Sequence, residues 1–261
     1  MSHLKLATIL FFSSPLVFAQ AGSSAPKADG LEAPTTLPIV FTTTIGAGHS
    51  HAGDPVLAKT TQVVHLASGE DIPSGSKVSG HVVAANPFVY DRTPYAHQKS
   101  SMLSIQFDSI QVRGAELPLN VTVRAMADPI TSEEARTPNM PHDADPQGTV
   151  TQIGGDQLTP SQAEVMSSDG DVIAYNKRGG VYAHLIANDG CDGSSVEVSM
   201  GIYSASACGL YGFVRVSAPQ MGSKAAPSKL SLVSSHVSPK IWKRSTALLE
   251  VLPAQQDVAS R

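Results

Sequence analysis

Cysteine is scarce: the 261 residues hold two, Cys191 and Cys208. A chain of this length buries enough surface to fold without cross-links, so a bridge would be an aid and not a necessity. A basic excess is also missing. Lys plus Arg total 18 against 22 Asp plus Glu, a formal net charge of −4, which is the wrong balance for a typical nucleic-acid binder. No segment repeats apolar residues at helical spacing, which argues against a helical architecture. Catalytic signatures are absent as well: there is no Gly-x-Ser-x-Gly elbow, no His-Glu-x-x-His, no phosphate loop and no dinucleotide fingerprint. With 41% apolar, 15% charged and 5% aromatic residues, the composition is that of a globular protein and not of a disordered chain.

The start of the chain reads as an export signal. Lys5 supplies the basic start, Leu6 to Phe18 the apolar stretch and Ala19 the small residue before cleavage, so residues 1–19 are expected to be removed. That stretch is shorter than the roughly 20 residues of a membrane anchor, and no stable transmembrane helix is expected after cleavage. In an oxidising compartment Cys191 and Cys208 are expected to pair, closing a loop of about 17 residues worth on the order of 3 kcal/mol in the chain-entropy treatment. A reactive thiol or a metal-ligand pair is the alternative, but no local His pattern supports it.

Residues 20–37 are small, polar and Pro-bearing, the composition of a flexible lead. Short runs rich in Val, Ile and Thr follow, separated by Gly, Pro, Asp and Ser: Pro38 to Ile45, Pro55 to Leu66, Lys77 to Ala85, Ser101 to Val112 and Leu117 to Ala127. In Ser101 to Val112, Leu103, Ile105, Phe107 and Ser109 alternate with Met102, Ser104, Gln106 and Asp108, the period of a strand with one face on a core. Leu117, Leu119, Val121, Val123 and Ala125 take the same inward role. These runs predict a mainly β chain, an antiparallel barrel or sandwich with its core over residues 38–127. Residues 128–162, rich in proline and acids, read as a long polar excursion. Residues 163–222 read as a disulfide-containing β lobe, residues 223–253 as closing strands and residues 254–261 as a frayed tail. The uncharged run between Glu197 and Arg215 reads as buried or pocket-lining strand and not as a membrane element.

Candidate chemistry is sparse. His49, His51 and Asp54 could ligate a metal, but they sit in a glycine-flanked loop with no further clustered ligand, so no metal is expected. His65 and His81 fall on separate strands. Ser74 and Lys77 match Ser-x-x-Lys, a motif that needs a helix where a strand is expected. Glu133, Glu134, Asp143 and Asp145 lack calcium-loop spacing. Asn120 lies in a glycosylation pattern inside a strand. Pro73, Gly75 and Gly80 read as a turn and a bend within the following strand. Phe88, Tyr90, Tyr95 and His97 cluster in the Asn86 to Lys99 connection and form a candidate exposed contact surface.

The run Ile72-Pro73-Ser74-Gly75-Ser76-Lys77-Val78-Ser79-Gly80, preceded by Gly53-Asp54-Pro55-Val56-Leu57-Ala58, adds a further clue. With Phe107-Asp108, then Gly114-x-Glu116-Leu117-Pro118-Leu119, it resembles the core of the VirB10/TrbI-like family of type IV secretion and conjugation envelope proteins. The likeness is closer still to secreted bacterial proteins that share that core. Ala207-Cys208-Gly209-Leu210-Tyr211-Gly212-Phe213 is similar to the family's Gly-Leu-x-Gly segment, and Thr246 to Val251 to its closing strand. The resemblance covers about Ile39 to Ala127 and Ser206 to Leu252. It implies a β-barrel-like domain in the bacterial periplasm and supplies no catalytic residues.

The expectation is therefore an exported, non-enzymatic envelope protein, periplasmic, outer-membrane-associated or secreted, without cofactor. Its partners would be other envelope proteins, cell-wall components or further copies of itself. A secreted ligand-binding or adhesion module for carbohydrate or peptidoglycan is the alternative, and an unrecognised hydrolase the third reading.

Overall fold

The computed structural model describes residues 30–94, 97–138 and 145–253. In chain order the strands begin with β1 (Thr36–Phe41), β2 (Ile45–Gly46), β3 (Pro55–Thr60), β4 (Val64–His65) and β5 (Asp71–Ile72). Next come β6 (Lys77–Asn86), β7 (Ser101–Val112), β8 (Ala115–Pro118) and β9 (Val121–Ala127), followed by the short helix α1 (Pro129–Glu134). A second group comprises β10 (Val150–Thr151), β11 (Gln157–Leu158), β12 (Glu164–Met166), β13 (Val172–Lys177), β14 (Gly180–His184) and β15 (Glu197–Ser199). The last are β16 (Gly209–Tyr211), β17 (Lys229–Ser234), β18 (Lys240–Ile241) and β19 (Thr246–Val251).

The chain is mainly β, as its alternation predicts. One nine-stranded sheet runs β16-β9-β19-β1-β3-β6-β7-β17, with β8 also on β7, and β10 to β15 form a six-stranded meander. Every pairing in the large sheet is antiparallel except that of β16 with β9.

Of the barrel and the sandwich expected, the closed barrel does not form; among the described residues no sheet closes. The reason lies on β7. Its one edge is shared, Ser101 to Gln106 pairing with β17 and Ser109 to Val112 with β8, so the sheet forks there. The two ends still approach each other, since Ser228 N–H donates to Val121 O at 2.6 Å and Gly222 N–H to Val123 O at 2.9 Å. These bonds make no ladder.

Two apolar clusters share the molecule. The first fills the inside of the large sheet with Leu37, Ile39, Phe41, Leu103, Ile105, Phe107 and Ile110, and each such fully buried side chain contributes about 1.5–3 kcal/mol. The second, with Val165, Ala183, Met200 and Tyr203, lies between the meander and the outer faces of β9 and β19. All seven residues of β9 are therefore buried.

Two of the four register shifts among the described strands break the alternation expected from the sequence on β7 and β9. Gly80 pairs with Phe107 while Ser79 pairs with Ser109, which leaves Asp108 as the extra residue on β7. Beyond it the phase flips, so that Ile110 is buried inward and Ser109 faces the outer side. On β9, Ala125 pairs with Leu248 and Val123 with Leu249, leaving Arg124 unpaired. Val121 and Val123 accordingly join the first cluster, whereas Ala125 joins the second and does not take the inward role predicted for it.

The polar excursion also differs from expectation. Asp128 caps α1 by accepting from Thr131 N–H at 2.8 Å, and Ser132, fully buried, is 2.8 Å from the Thr246 hydroxyl. Val150 and Ile153 are buried in the meander. The second lobe thus starts near Val150 and not at residue 163. Its strands there are two residues long, too short to display a period.

Candidate functional site

The turn at Pro73 to Ser76 is built around Thr60, the last residue of β3. Thr60 Oγ1 donates to Pro73 O at 2.9 Å, and Gly75 N–H donates to Thr60 O at 2.9 Å. Gly75 has φ 86°, the left-handed region that suits glycine. Gly80 is needed for a different reason: a Cβ there would lie 2.1 Å from the backbone oxygen of Gln106. The turn and the bulge together aim the outer face of β6 into a groove of about 550 Å³.

Register gives that groove its chemistry. Lys59, Lys77, Gln111 and Glu116 stand side by side across β3, β6, β7 and β8, and Leu57, Ser79, Ser109 and Pro118 form the next row. All of these except Pro118 line the groove, together with Thr42 and Gly75. Ser109 Oγ donates to Glu116 Oε1 at 2.5 Å, so in the 2.7 Å contact between the two serines it is Ser79 that donates to Ser109. Lys59 and Lys77 are direct cross-strand neighbours of like charge, an arrangement that costs stability, and neither has an acidic partner among the described residues. The groove therefore offers a cationic wall, a hydroxyl floor, one carboxylate and the apolar side chain of Leu57, which is 42% exposed. Such a set suits recognition of a polar, charge-bearing chain. Its hydroxyls form a relay from Ser79 through Ser109 to the Glu116 carboxylate.

The remaining sequence candidates lie elsewhere. Cys191 and Cys208 form the expected disulfide, with Cα atoms 6.0 Å apart. His51 N–H donates to Asp54 Oδ2 at 2.8 Å, and among the described residues no group of three or more His, Cys, Asp or Glu side chains is placed to hold a metal. His65 Nδ1 lies 2.5 Å from Asp71 Oδ1 with its ring stacked on Tyr182, and His81 Nδ1 lies 2.8 Å from Asp108 Oδ2. Ser74 precedes strand β6 and no helix, so Ser-x-x-Lys geometry is not formed. Asn120 Nδ2 donates to Leu252 O and Pro253 O between β8 and β9. In the Asn86 to Lys99 connection, Phe88 N–H donates to Ser238 Oγ at 2.9 Å, and Tyr90 is 69% exposed. His97 is exposed on the same connection, and Tyr95 lies outside the described residues, as do residues 1–29, Asp143 and the tail from residue 254.

No family model matches this chain, and no curated protein or solved structure is similar to it. Its site is therefore read from its own geometry.

That geometry contains one residue that sequence reasoning missed. Arg124, fully buried, donates through its guanidinium to the backbone carbonyls of Ile186 at 2.6 Å, Ala207 at 3.1 Å, Ala205 at 3.4 Å and Asp192. All four acceptors lie in or beside the disulfide loop. Glu250 Oε2 on β19 is 3.7 Å away. Burial pushes the Arg124 guanidinium down and the Glu250 carboxyl up from their ordinary ranges, and the attraction between them opposes both shifts. The available signal was a lone charge inside an otherwise apolar strand. Gln62 does related work on the other side of the lobe, its amide donating to Val181 O and Ser199 Oγ and accepting from the backbone N–H groups of Val181 and Gly201.

Proposed function

We propose that this chain is an exported bacterial envelope protein that acts by non-covalent contact, with the groove on β3, β6, β7 and β8 as its contact site. The observation that carries the reading is that Gly75, Lys77, Val78 and Ser79, from the motif on which the VirB10/TrbI-like resemblance rests, line a groove of about 550 Å³ in which Lys77 stands beside Lys59. The occupant best suited to cations, hydroxyls and one carboxylate is a cell-wall glycan or its attached peptide, rich in hydroxyl and carboxylate groups. The disulfide fits an oxidising compartment, and no helix among the described residues is long and apolar enough to cross a membrane.

The test is co-sedimentation of the mature protein with purified cell-wall sacculi, beside its native mass in its own envelope fraction. Binding that is lost in Lys59→Glu/Lys77→Glu supports the reading. A protein that stays in the supernatant, or a variant that binds as well as wild type, overturns it. A second reading, a component of a secretion or conjugation assembly, draws on the same resemblance and is favoured by a large assembly released only with detergent.

A further inference from the structure

Charge along the chain is strongly segregated. From Val198 to Leu249 there is no Asp or Glu, yet six cations occur, Arg215, Lys224, Lys229, Lys240, Lys243 and Arg244, in a protein of net charge −4. Lys224 is paired with Asp192 and Arg244 with Glu133. The other four have no acidic partner among the described residues.

Two of those four flank the sole tryptophan. In β18, Ile241 is fully buried opposite Ile45, so its neighbours Lys240 and Trp242 point the other way. Trp242 is 40% exposed, with Lys240 Nζ 5.8 Å from its ring centroid. Its ring lies 6.1 Å from that of Phe213, whose neighbour Val214 is 77% exposed and is followed by Arg215. The turn that carries the indole is held firmly: Ser245 N–H donates to Trp242 O at 3.0 Å, Lys243 N–H to Thr44 Oγ1 at 3.0 Å and Arg244 N–H to Phe41 O at 2.9 Å.

We propose that the surface at Trp242, with Lys240 over its ring, Lys243 next to it in the chain and the exposed Val214 and Arg215 following the Phe213 ring it touches, docks onto the headgroup region of an anionic lipid membrane. An amphipathic indole is at its most favourable between headgroups and acyl chains, and lysines beside it are attracted to lipid phosphates. A shallow interfacial contact needs no more than one aromatic anchor, an apolar neighbour and several cations. This surface is separate from the groove.

Because Trp242 is the only tryptophan, its emission reports the contact directly. The mature protein is titrated with vesicles of phosphatidylglycerol and phosphatidylcholine, or of phosphatidylcholine alone, and pelleting is measured in parallel. The expected result is a blue shift and pelleting with the anionic vesicles only, weakened by salt. Lys240→Gln with Lys243→Gln should lower partitioning roughly 25-fold, about fivefold per lysine. Unchanged emission with anionic vesicles, equal binding to the zwitterionic ones, or a variant that partitions as well as wild type overturns the proposal. So does an equal blue shift with a soluble polyanion such as dextran sulfate, which would show that the lipid interface is not what this surface recognises.

Discussion

Replacing Arg124 by alanine removes the side chain through which β9 holds four carbonyls in and beside the disulfide loop. Four carbonyls lose their donor, the Glu250 carboxylate loses its counter-ion at 3.7 Å, and the space of a fully buried arginine is left empty. Hydrogen bonds to a charged group contribute about 1.5–3 kcal/mol each, but bonds to one guanidinium are not additive. Breaking a buried charge pair from one side costs about 3–5 kcal/mol, and we take about 4 kcal/mol as the expected loss. That is a large share of the roughly 5–15 kcal/mol that holds a domain folded. Arg124→Lys keeps the charge but not the planar fork that spans Ile186, Asp192, Ala205 and Ala207, so it should recover about half. The assay is urea unfolding of the oxidised protein, followed by Trp242 emission, which reports the first apolar cluster through Phe213, and by tyrosine circular dichroism. A stability for Arg124→Ala within about 1 kcal/mol of wild type would refute the reasoning.

The disulfide supplies the matching control. Cys191 and Cys208 are 17 positions apart, a closure worth about 3 kcal/mol in the chain-entropy treatment. Both devices restrain the same backbone, so removing both should cost about 1 kcal/mol less than the sum of the single losses. Strict additivity would mean that they hold different things.

The remaining predictions concern the bulge and one buried acid. Gly80→Ala meets the Gln106 backbone and should lower stability by about 2–3 kcal/mol, whereas Gly75→Ala, in open space at φ 86°, should lose only about 1 kcal/mol. Melting temperatures in the opposite order would contradict the bulge at Asp108. Burial raises the Asp156 carboxyl above the ordinary carboxylate range, opposed by hydrogen bonds from Ala205 and Ser204. The folded state then holds this proton more tightly than the unfolded one, so stability rises as pH falls from neutral through the raised range. Asp156→Asn removes that contribution. The stability of wild type minus that of the variant should grow on acidification, and a constant difference would show that the carboxyl is not perturbed.

How much of this was legible depends on what each feature needs. Alternation located β7 at Ser101–Val112, because a strand with one face on a core writes its period into the sequence. The meander's first strands, Val150–Thr151 and Gln157–Leu158, were read as polar excursion because two residues cannot display a period. Ser132 was hidden for another reason: a serine that is buried and hydrogen-bonded to Thr246 looks like any loop serine. The β-type runs left barrel and sandwich both open, and closure turned on whether β7 gave its edge to one partner or to two. In the groove, Pro73 and Gly75 were readable from turn chemistry. Lys59, Lys77, Ser109 and Glu116 were not, since only register brings them side by side.

The two bulges connect these successes and failures. A strict period-2 reading assigns every second side chain of a strand to the core, and one extra residue reverses the assignment for all that follow. At Asp108 the reversal turns Ile110 inward and Ser109 outward, which gives the groove its hydroxyl floor and sets Asp108 beside His81. At Arg124 it turns Ala125 and Ala127 toward the meander and leaves a charged side chain unpaired on the ladder, free to enter the disulfide loop. Without the first bulge Ser109 would face the core and the groove would lack its link from Ser79 to Glu116. Without the second, Ala125 and Ala127 would face the first cluster and Met126 the meander. The positions at which the sequence departs from simple alternation are thus those at which the large sheet acquires a groove on one side and a second lobe on the other.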